Sequence, residues 1–179
     1  MPTRRIVFAG GPGSGKTTLL DALQVRGYAV AADSARCIIR DRKSRSLPPR
    51  PPAREFAETV LRADIRQYRE LESGPGPVFF ERGIVDALCV LHETGAMPER
   101  ELEALLSAYP YDPRVFVFPP WEAIYVTDAE RDQTFAEAQG VHRAACAWYR
   151  RCGYEIVEVP RVDVERRCAF VLSAIDAAA

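Results

Sequence analysis

The chain has 179 residues and a mass of 20.0 kDa, which is the usual size of one domain built around one hydrophobic core. Its 24 basic and 25 acidic residues give a net charge of −1, so the composition does not point to a nucleic-acid or membrane-surface protein. Apolar residues make up 47% of the chain, which excludes a disordered protein, and no apolar run reaches the roughly 18 residues of a membrane helix.

Short apolar runs alternate with longer helical patterns along the chain. Five strands are predicted, over residues 6–9, 28–31, 78–80, 115–118 and 154–159. Helices are predicted over 16–26, 34–43, 53–72, 83–94, 99–107, 128–151 and 163–177. The first four strands lack a polar alternation, which is typical of parallel strands covered on both faces. The pattern therefore predicts a three-layer α/β sandwich with a five-stranded parallel sheet, and a single domain over residues 1–179.

A glycine-rich segment follows the first predicted strand. Residues 10–17 read GGPGSGKT, a complete match to the P-loop pattern G-x-x-x-x-G-K-[ST], between an apolar strand and a helix. In such a loop the backbone N–H groups converge on an anion, Lys16 reaches the β- and γ-phosphates, and the Thr17 hydroxyl binds Mg²⁺. We therefore expect a nucleoside triphosphate to be bound by Gly10, Gly11, Gly13, Ser14, Gly15, Lys16, Thr17 and Thr18.

The second predicted strand is followed by Asp33. Because the carboxyl ends of parallel strands meet at one edge of the sheet, this carboxylate is expected next to the P-loop. There it could accept a proton from a substrate hydroxyl during phosphoryl transfer. It could equally cap the helix that follows, since Asp is a preferred N-cap residue. The two roles are compatible if the side chain turns.

The third predicted strand ends in Glu81, which Arg82 follows. An acid after an apolar strand is the Walker B arrangement, in which the carboxylate holds Mg²⁺ directly or through water. Arg82 could neutralise charge on the transferred phosphoryl group. Alternatively, Arg82 pairs with Asp86 one helical turn later.

The segment after the fourth predicted strand is rich in proline and aromatic residues. Trp121 and Tyr125 either stack on a base or a ring substrate, or cover the edge of the sheet. Residues 127–130 read TDAE, a capping box that predicts the start of the long helix over 128–151. Arg131 falls in the first turn of that helix, where it either closes over phosphates as a lid arginine or remains solvated.

A basic segment covers residues 36–54. It carries seven basic side chains against one acid, Asp41. We consider two interpretations, a mobile flap that favours an anionic substrate and a solvated arginine-rich loop.

The residues described so far resemble a known family. The chain is similar to small bacterial predicted ATPases classed as AAA-type domains, and to the ribosylnicotinamide kinase domain of the bifunctional NAD-biosynthesis regulator. This resemblance rests on GGPGSGKTT at 10–18, ADSAR at 32–36, VFFERGIVDAL at 78–88, PPWEAIYVTDAER at 119–131 and GYEIVEVP at 153–160. More distantly, the ERG at 81–83 resembles the Glu-Arg-Ser and Asp-Arg motifs of deoxynucleoside and thymidylate kinases.

The resemblance implies a strand order of 2-3-1-4-5. It also implies Glu81 as a metal ligand, Arg82 as a phosphate ligand, Asp33 as the base and Arg131 as a lid residue. Two positions depart from the relatives, which often have Glu where Asp33 stands and Asp where Glu81 stands. Both exchanges keep the charge and change its reach by one methylene group.

These features predict a phosphotransferase that uses ATP and Mg²⁺ to phosphorylate a small hydroxylated, nucleoside-like metabolite. Only two basic residues are lysines, Lys16 and Lys43, and neither forms the N/T-K-x-D motif of Ras-like GTPases, which favours ATP over GTP. The alternative is an ATP-dependent binding or switch protein with slow hydrolysis and no small-molecule acceptor. A nucleic-acid end kinase has only the one basic segment to support it, so we expect neither a nucleic-acid nor a membrane partner.

The five cysteines are odd in number, widely spaced and never arranged as C-x-x-C. This spacing argues against a disulfide framework or a zinc site and predicts reduced thiols in the cytoplasm. We expect the protein to be a monomer or a homodimer.

Overall fold

The computed structural model describes residues 3–71, 76–125 and 134–177, and every structural statement below refers to these ranges. The strands are β1 (Arg5–Gly10), β2 (Ala29–Ala31), β3 (Val78–Glu81), β4 (Arg114–Phe118) and β5 (Glu155–Glu158). The helices are α1 (Lys16–Val25), α2 (Ser34–Ser44), α3 (Ala53–Glu70), α4 (Ile84–Glu93), α5 (Glu99–Ala108), α6 (Phe135–Arg151) and α7 (Val164–Asp176). A 3-10 turn at Glu122–Ile124 follows β4.

The five strands form one parallel sheet in the order β2-β3-β1-β4-β5. Both the predicted α/β sandwich and its strand order are confirmed. The order puts β1 in the centre of the sheet, with Phe8 opposite Glu81 of β3 and Gly10 opposite Phe118 of β4. The loops that leave β2, β3 and β1 consequently meet side by side at the carboxyl edge of the sheet.

Two hydrophobic clusters lie on opposite faces of the sheet, because successive side chains of a strand point to opposite sides. Val7 and Ala9 of β1 belong to the cluster covered by α3, α4, α5 and α6. Ile6 and Phe8 belong to the cluster covered by α1 and α7. Burial on both sides explains why β1 is apolar throughout its centre.

The second cluster has an aromatic centre. The ring centroid of Phe8 lies 5.5 Å from that of Phe79, 6.1 Å from that of Phe116 and 5.0 Å from that of Phe118. On the other face, Trp148 of α6 is buried and its indole N–H donates to the carbonyl oxygen of Val85 over 2.8 Å. That bond ties α6 to the start of α4.

The start of α6 differs from its prediction. The helix begins at Phe135 and is capped by Thr134, whose backbone is extended at φ −72° and ψ 163°. The side chains of Thr134 and Glu137 form the capping box, so the helix does not continue backwards through residue 134. The predicted box at 127–130 lies outside the described residues.

All five cysteines are free thiols. Across the described ranges, no helix is both long enough and apolar enough to cross a membrane.

Candidate functional site

The P-loop connects β1 to α1 and encloses the side chain of Lys16. Only 4% of Lys16 is exposed, and its Nζ donates to the carbonyl oxygens of Gly10 over 3.2 Å and Gly11 over 2.7 Å. The Ser14 hydroxyl, also buried, donates to the Gly11 carbonyl over 2.9 Å. Burial and the nearby Arg82 guanidinium lower the pKa of Lys16 to about 8, against the opposing effect of nearby carboxylates. The ammonium thus lacks a full countercharge, which an anionic ligand would supply.

A hydroxyl and a carboxylate meet beside the P-loop. The Thr17 hydroxyl lies 2.9 Å and 3.1 Å from the two carboxylate oxygens of Glu81, at the end of β3. These are hard oxygen donors of the kind that Mg²⁺ binds together with water and phosphate oxygens, so the pair fits a magnesium ion. Thr18, in contrast, is exposed on the first turn of α1.

Asp33 and Arg82 belong to a charged network at the ends of β2 and β3. One carboxylate oxygen of Asp33 accepts from the backbone N–H of Arg36 over 3.1 Å and so caps α2. The other lies 3.3 Å from Nε of Arg82. Arg82 also lies 3.4 Å from Asp86, whose carboxylate accepts from the Tyr149 hydroxyl over 2.6 Å. Both roles considered for Asp33, and both considered for Arg82, are therefore geometrically compatible.

The backbone of Arg82 is left-handed, with φ +66°. A side chain in this region is strained, and such residues concentrate at functional sites. Burial alone would lower the pKa of Arg82, but the carboxylates of Asp33, Asp86 and Glu81 outweigh it and raise the pKa above its ordinary value. Arg82 therefore carries a permanent positive charge beside the P-loop.

Aromatic and cationic side chains cover the other side of the P-loop. A Cβ at Gly13, where φ is +69°, would lie 2.6 Å from the ring of Tyr125. A Cβ at Gly15, where φ is +84°, would lie 2.5 Å from a guanidinium nitrogen of Arg167. The guanidinium carbon of Arg167 in turn lies 5.5 Å from the centre of the Trp121 ring. Trp121 and Tyr125 thus lie at the loop.

A cavity of about 490 Å³ opens beside Lys16 of the P-loop and the ends of β2 and β3. Its polar lining includes Lys16, Asp33, Glu81 and Arg82, so four of the predicted site residues share one space. Its apolar lining comes from α2, α3 and α4 and includes Ile39, Phe56, Ala57, Val60, Ala87 and Val90. A mixed wall of this kind and size is typical of a small-molecule site.

Two buried charged residues of this region were missed in the sequence. Asp64 of α3 lines the cavity and is 8% exposed, and Arg167 of α7 is 4% exposed. Each interrupts an apolar helix face, since Asp64 follows Val60 by four residues and Arg167 precedes Val171 by four. A charged residue on the apolar face of a predicted helix was the feature of the sequence that could have identified both residues.

The basic segment 36–54 divides between the two interpretations considered for it. Arg36 and Arg50 line the cavity. Arg45 pairs with Asp41 on the exposed surface of α2, which is the behaviour of a solvated segment. Arg131, the predicted lid residue, lies outside the described residues.

Comparisons with known proteins agree with the fold. A family model described as an AAA domain matches residues 5–167. No curated protein matches the chain. A structure of deoxyadenosine kinase from M. mycoides with products dCMP and a flexible dCDP bound is similar, with a TM-score of 0.62 at 13% identity, covering 98% of this chain and all of that one. The dATP-bound form of that kinase gives 0.59 at 12% identity, covering 97% of this chain and 99% of that one. At sequence identities this low, the structural similarity shows that this chain and the kinase share a fold.

Proposed function

Because the chain belongs to the AAA domain family and is a P-loop nucleotide-binding domain, we propose that it is a phosphotransferase. In this proposal it uses Mg-ATP to phosphorylate a hydroxyl group of a small, nucleoside-like metabolite. The similar fold of a deoxyadenosine kinase, at low identity, makes a nucleoside the first acceptor class to examine.

The observation that carries the proposal is the cavity beside the P-loop. Its volume of about 490 Å³ is the size of a site for a small molecule, and its lining joins Lys16 to the helical wall of α2, α3 and α4. A protein that only hydrolyses ATP needs no more space beside the γ-phosphate than one water molecule occupies. A nucleoside-like second substrate needs a larger cavity with apolar walls for its ring, which this site has.

The phosphate end of the site would work by charge neutralisation. Lys16 would hold the β- and γ-phosphates, and its lowered pKa would rise towards the ordinary value once the phosphates supply a countercharge. Thr17 and Glu81 would hold Mg²⁺, which supplies positive charge to the β- and γ-phosphate oxygens when bound.

The acceptor end would use Asp33 and Arg82. The hydroxyl oxygen of the acceptor attacks the γ-phosphorus, its proton passes to the Asp33 carboxylate, and the bond to the β-phosphate oxygen breaks. Arg82, held 3.3 Å from Asp33, would offset negative charge on the transferred group and keep the carboxylate oriented. Arg131 remains a proposed lid residue.

The test is a search for new phosphorylated compounds by mass spectrometry. Purified protein is incubated with Mg-ATP and either a metabolite extract or a panel that includes deoxynucleosides and nicotinamide riboside. We expect a product with the wild type, and a loss of about 10²-fold or more with Lys16→Ala. Lys43→Ala, which removes the other lysine from the exposed face of α2, is the matched control and should retain activity.

ATP turnover that never depends on an added acceptor would contradict the phosphotransferase proposal. Tight nucleotide binding with negligible turnover, and a partner retained in only one nucleotide state, would instead support the switch protein. Single-turnover kinetics with and without acceptors separate the two.

A further inference from the structure

Asp64 occupies an unusual position for a carboxyl group. It lies on the face of α3 that also carries the buried side chains of Ala57, Val60 and Tyr68. Only 8% of the residue is exposed, and it lines the cavity that also contains Lys16. Burying a carboxyl group among apolar side chains is unfavourable, so its place on the wall of a cavity points to a polar ligand there.

The groups around Asp64 favour its neutral form. Burial is the largest effect and, with the nearby carboxylates of Asp33 and Asp86, it raises the pKa of Asp64 to about 7. A hydrogen bond from the Ser34 hydroxyl and the positive charge of the Arg82 guanidinium oppose this rise in pKa only in part.

The remaining polar groups near Asp64 have partners or lie elsewhere on the wall. The Gln67 amide donates to the Ser34 hydroxyl over 3.2 Å, so Ser34 is held in place to donate to Asp64. The phenol of Tyr111 stays un-ionised at ordinary pH, because burial raises its pKa well above the usual value. Arg36 and Arg50 are the other cations that line the cavity.

A neutral carboxyl group presents an O–H donor next to a C=O acceptor. Its complement is a planar group with an N–H donor and a hydrogen-bond acceptor side by side, as on the edge of a pyrimidine or purine base. We propose that Asp64 selects the acceptor substrate by binding such an edge of a nitrogen heterocycle. This inference rests on the proposed function and specifies its substrate class.

If the heterocycle binds only when Asp64 is neutral, the affinity of the protein for it must fall as the pH rises. Below pH 7 the carboxyl is protonated and complements the ligand edge. Above pH 7 it ionises, loses its donor and must be reprotonated for binding. For one group with a pKa of about 7, affinity should fall about tenfold from pH 6 to pH 8.

The experiment is isothermal titration calorimetry at saturating ADP, with adenosine, cytidine and uridine as probes. Each probe is paired with an isostere that lacks the donor, namely purine riboside, pyrimidin-2-one riboside and 3-methyluridine. We expect at least one probe to bind at least tenfold more tightly than its isostere at pH 6. Failure of all three probes to bind, or equal binding of probe and isostere, would overturn the inference.

Two variants separate recognition from a structural role. Asp64→Asn keeps a donor and an acceptor without a titrating proton, so it should bind the probe equally at pH 6 and pH 8. Asp64→Leu should lose the preference for the probe over its isostere at both pH values. ADP affinity should be unchanged in both variants, and Asp41→Asn, on the exposed surface, should behave as the wild type.

If Asp64 only positions α2 through Ser34, both variants would weaken probe and isostere equally and the wild type would show no pH dependence. That result would overturn the inference even if Asp64→Leu failed to fold, because the wild type and Asp64→Asn test it on their own. Probe binding without any phosphoryl transfer would contradict the proposed function alone. Transfer to acceptors that lack such an edge would contradict this inference alone.

Discussion

The two lysines of the chain lie in opposite environments, one exposed on α2 and one enclosed in the P-loop. In the folded protein burial lowers the pKa of Lys16 to about 8, whereas its ordinary pKa of 10.5 applies when the chain is unfolded. Between these values the unfolded chain binds more protons, so the contribution of Lys16 to stability rises with pH. Below pH 8 both states are protonated and the cost of burying the charge is fully present.

Nucleotide phosphates should restore the proton to Lys16. At pH 8.5 the free protein is largely deprotonated at this site, so we expect an uptake of roughly 0.7 proton per nucleotide bound. Calorimetry of ADP binding in two buffers with different ionisation enthalpies measures this number. Lys43→Ala should show the same uptake, and an uptake near zero would mean that Lys16 is already charged in the free site.

Arg82 combines a functional charge with a strained backbone, and substitution can separate the two. Arg82→Ala and Arg82→Gly remove the same guanidinium from Asp33 and Asp86. Only glycine adopts φ +66° without strain, so the glycine variant should be more stable by about 1 kcal/mol. Urea denaturation of the two variants measures the difference. Equal stabilities would mean that the backbone relaxes out of the left-handed region when the side chain is removed.

At the level of the helices, α2 begins at the carboxylate that is also the proposed base. Asp33→Asn keeps the capping oxygen, because Asn caps as well as Asp, and removes the charge. We expect the free energy of unfolding to change by less than about 1 kcal/mol. The rate of phosphoryl transfer should fall by about 10²–10⁴-fold. An Asp33→Asn variant that transfers phosphate at the wild-type rate would contradict the role of Asp33 as the base and leave it as a helix cap and a partner of Arg82.

Helices were predictable from the sequence to different degrees. The predicted helix 53–72 corresponds to α3, because its apolar face has a clear period of 3.6 residues. The start of α6 was misplaced, because Thr127 and Thr134 are both followed by Glu at the third position. Two such patterns seven residues apart each predict a helix start, so the local pattern alone does not identify Thr134 as the residue that caps α6.

At the level of the whole molecule, the sheet is stabilised from both faces. Phe8 lies at its centre, fully buried among three other phenylalanine rings. Phe8→Ala should lower the free energy of unfolding by about 3–5 kcal/mol, as truncation of a buried aromatic residue leaves a cavity. Chemical denaturation measures this loss. Phe170→Ala, a partly buried position at the margin of the same cluster, should cost clearly less.

The topology also explains which part of the site the sequence could predict. Lys16 and Asp33 follow strands and Glu81 ends one, and parallel strands end at a common edge, so their meeting there follows from pattern alone. The acceptor side of the cavity depends on how α2, α3 and α4 pack together. Strand order does not specify that packing, so Asp64 could be recognised as a site residue only in three dimensions.

The positions of the two tryptophans give the protein a pair of independent fluorescent reporters. Trp148 is buried between α6 and α4 and donates to Val85, so its emission should shift to longer wavelength only when the fold opens. Trp121 lies beside Arg167 at the P-loop, where a bound nucleotide would change its surroundings without unfolding the chain. With excitation near the red edge of tryptophan absorption, Trp148→Phe would leave a signal for ligand occupancy and Trp121→Phe a signal for unfolding.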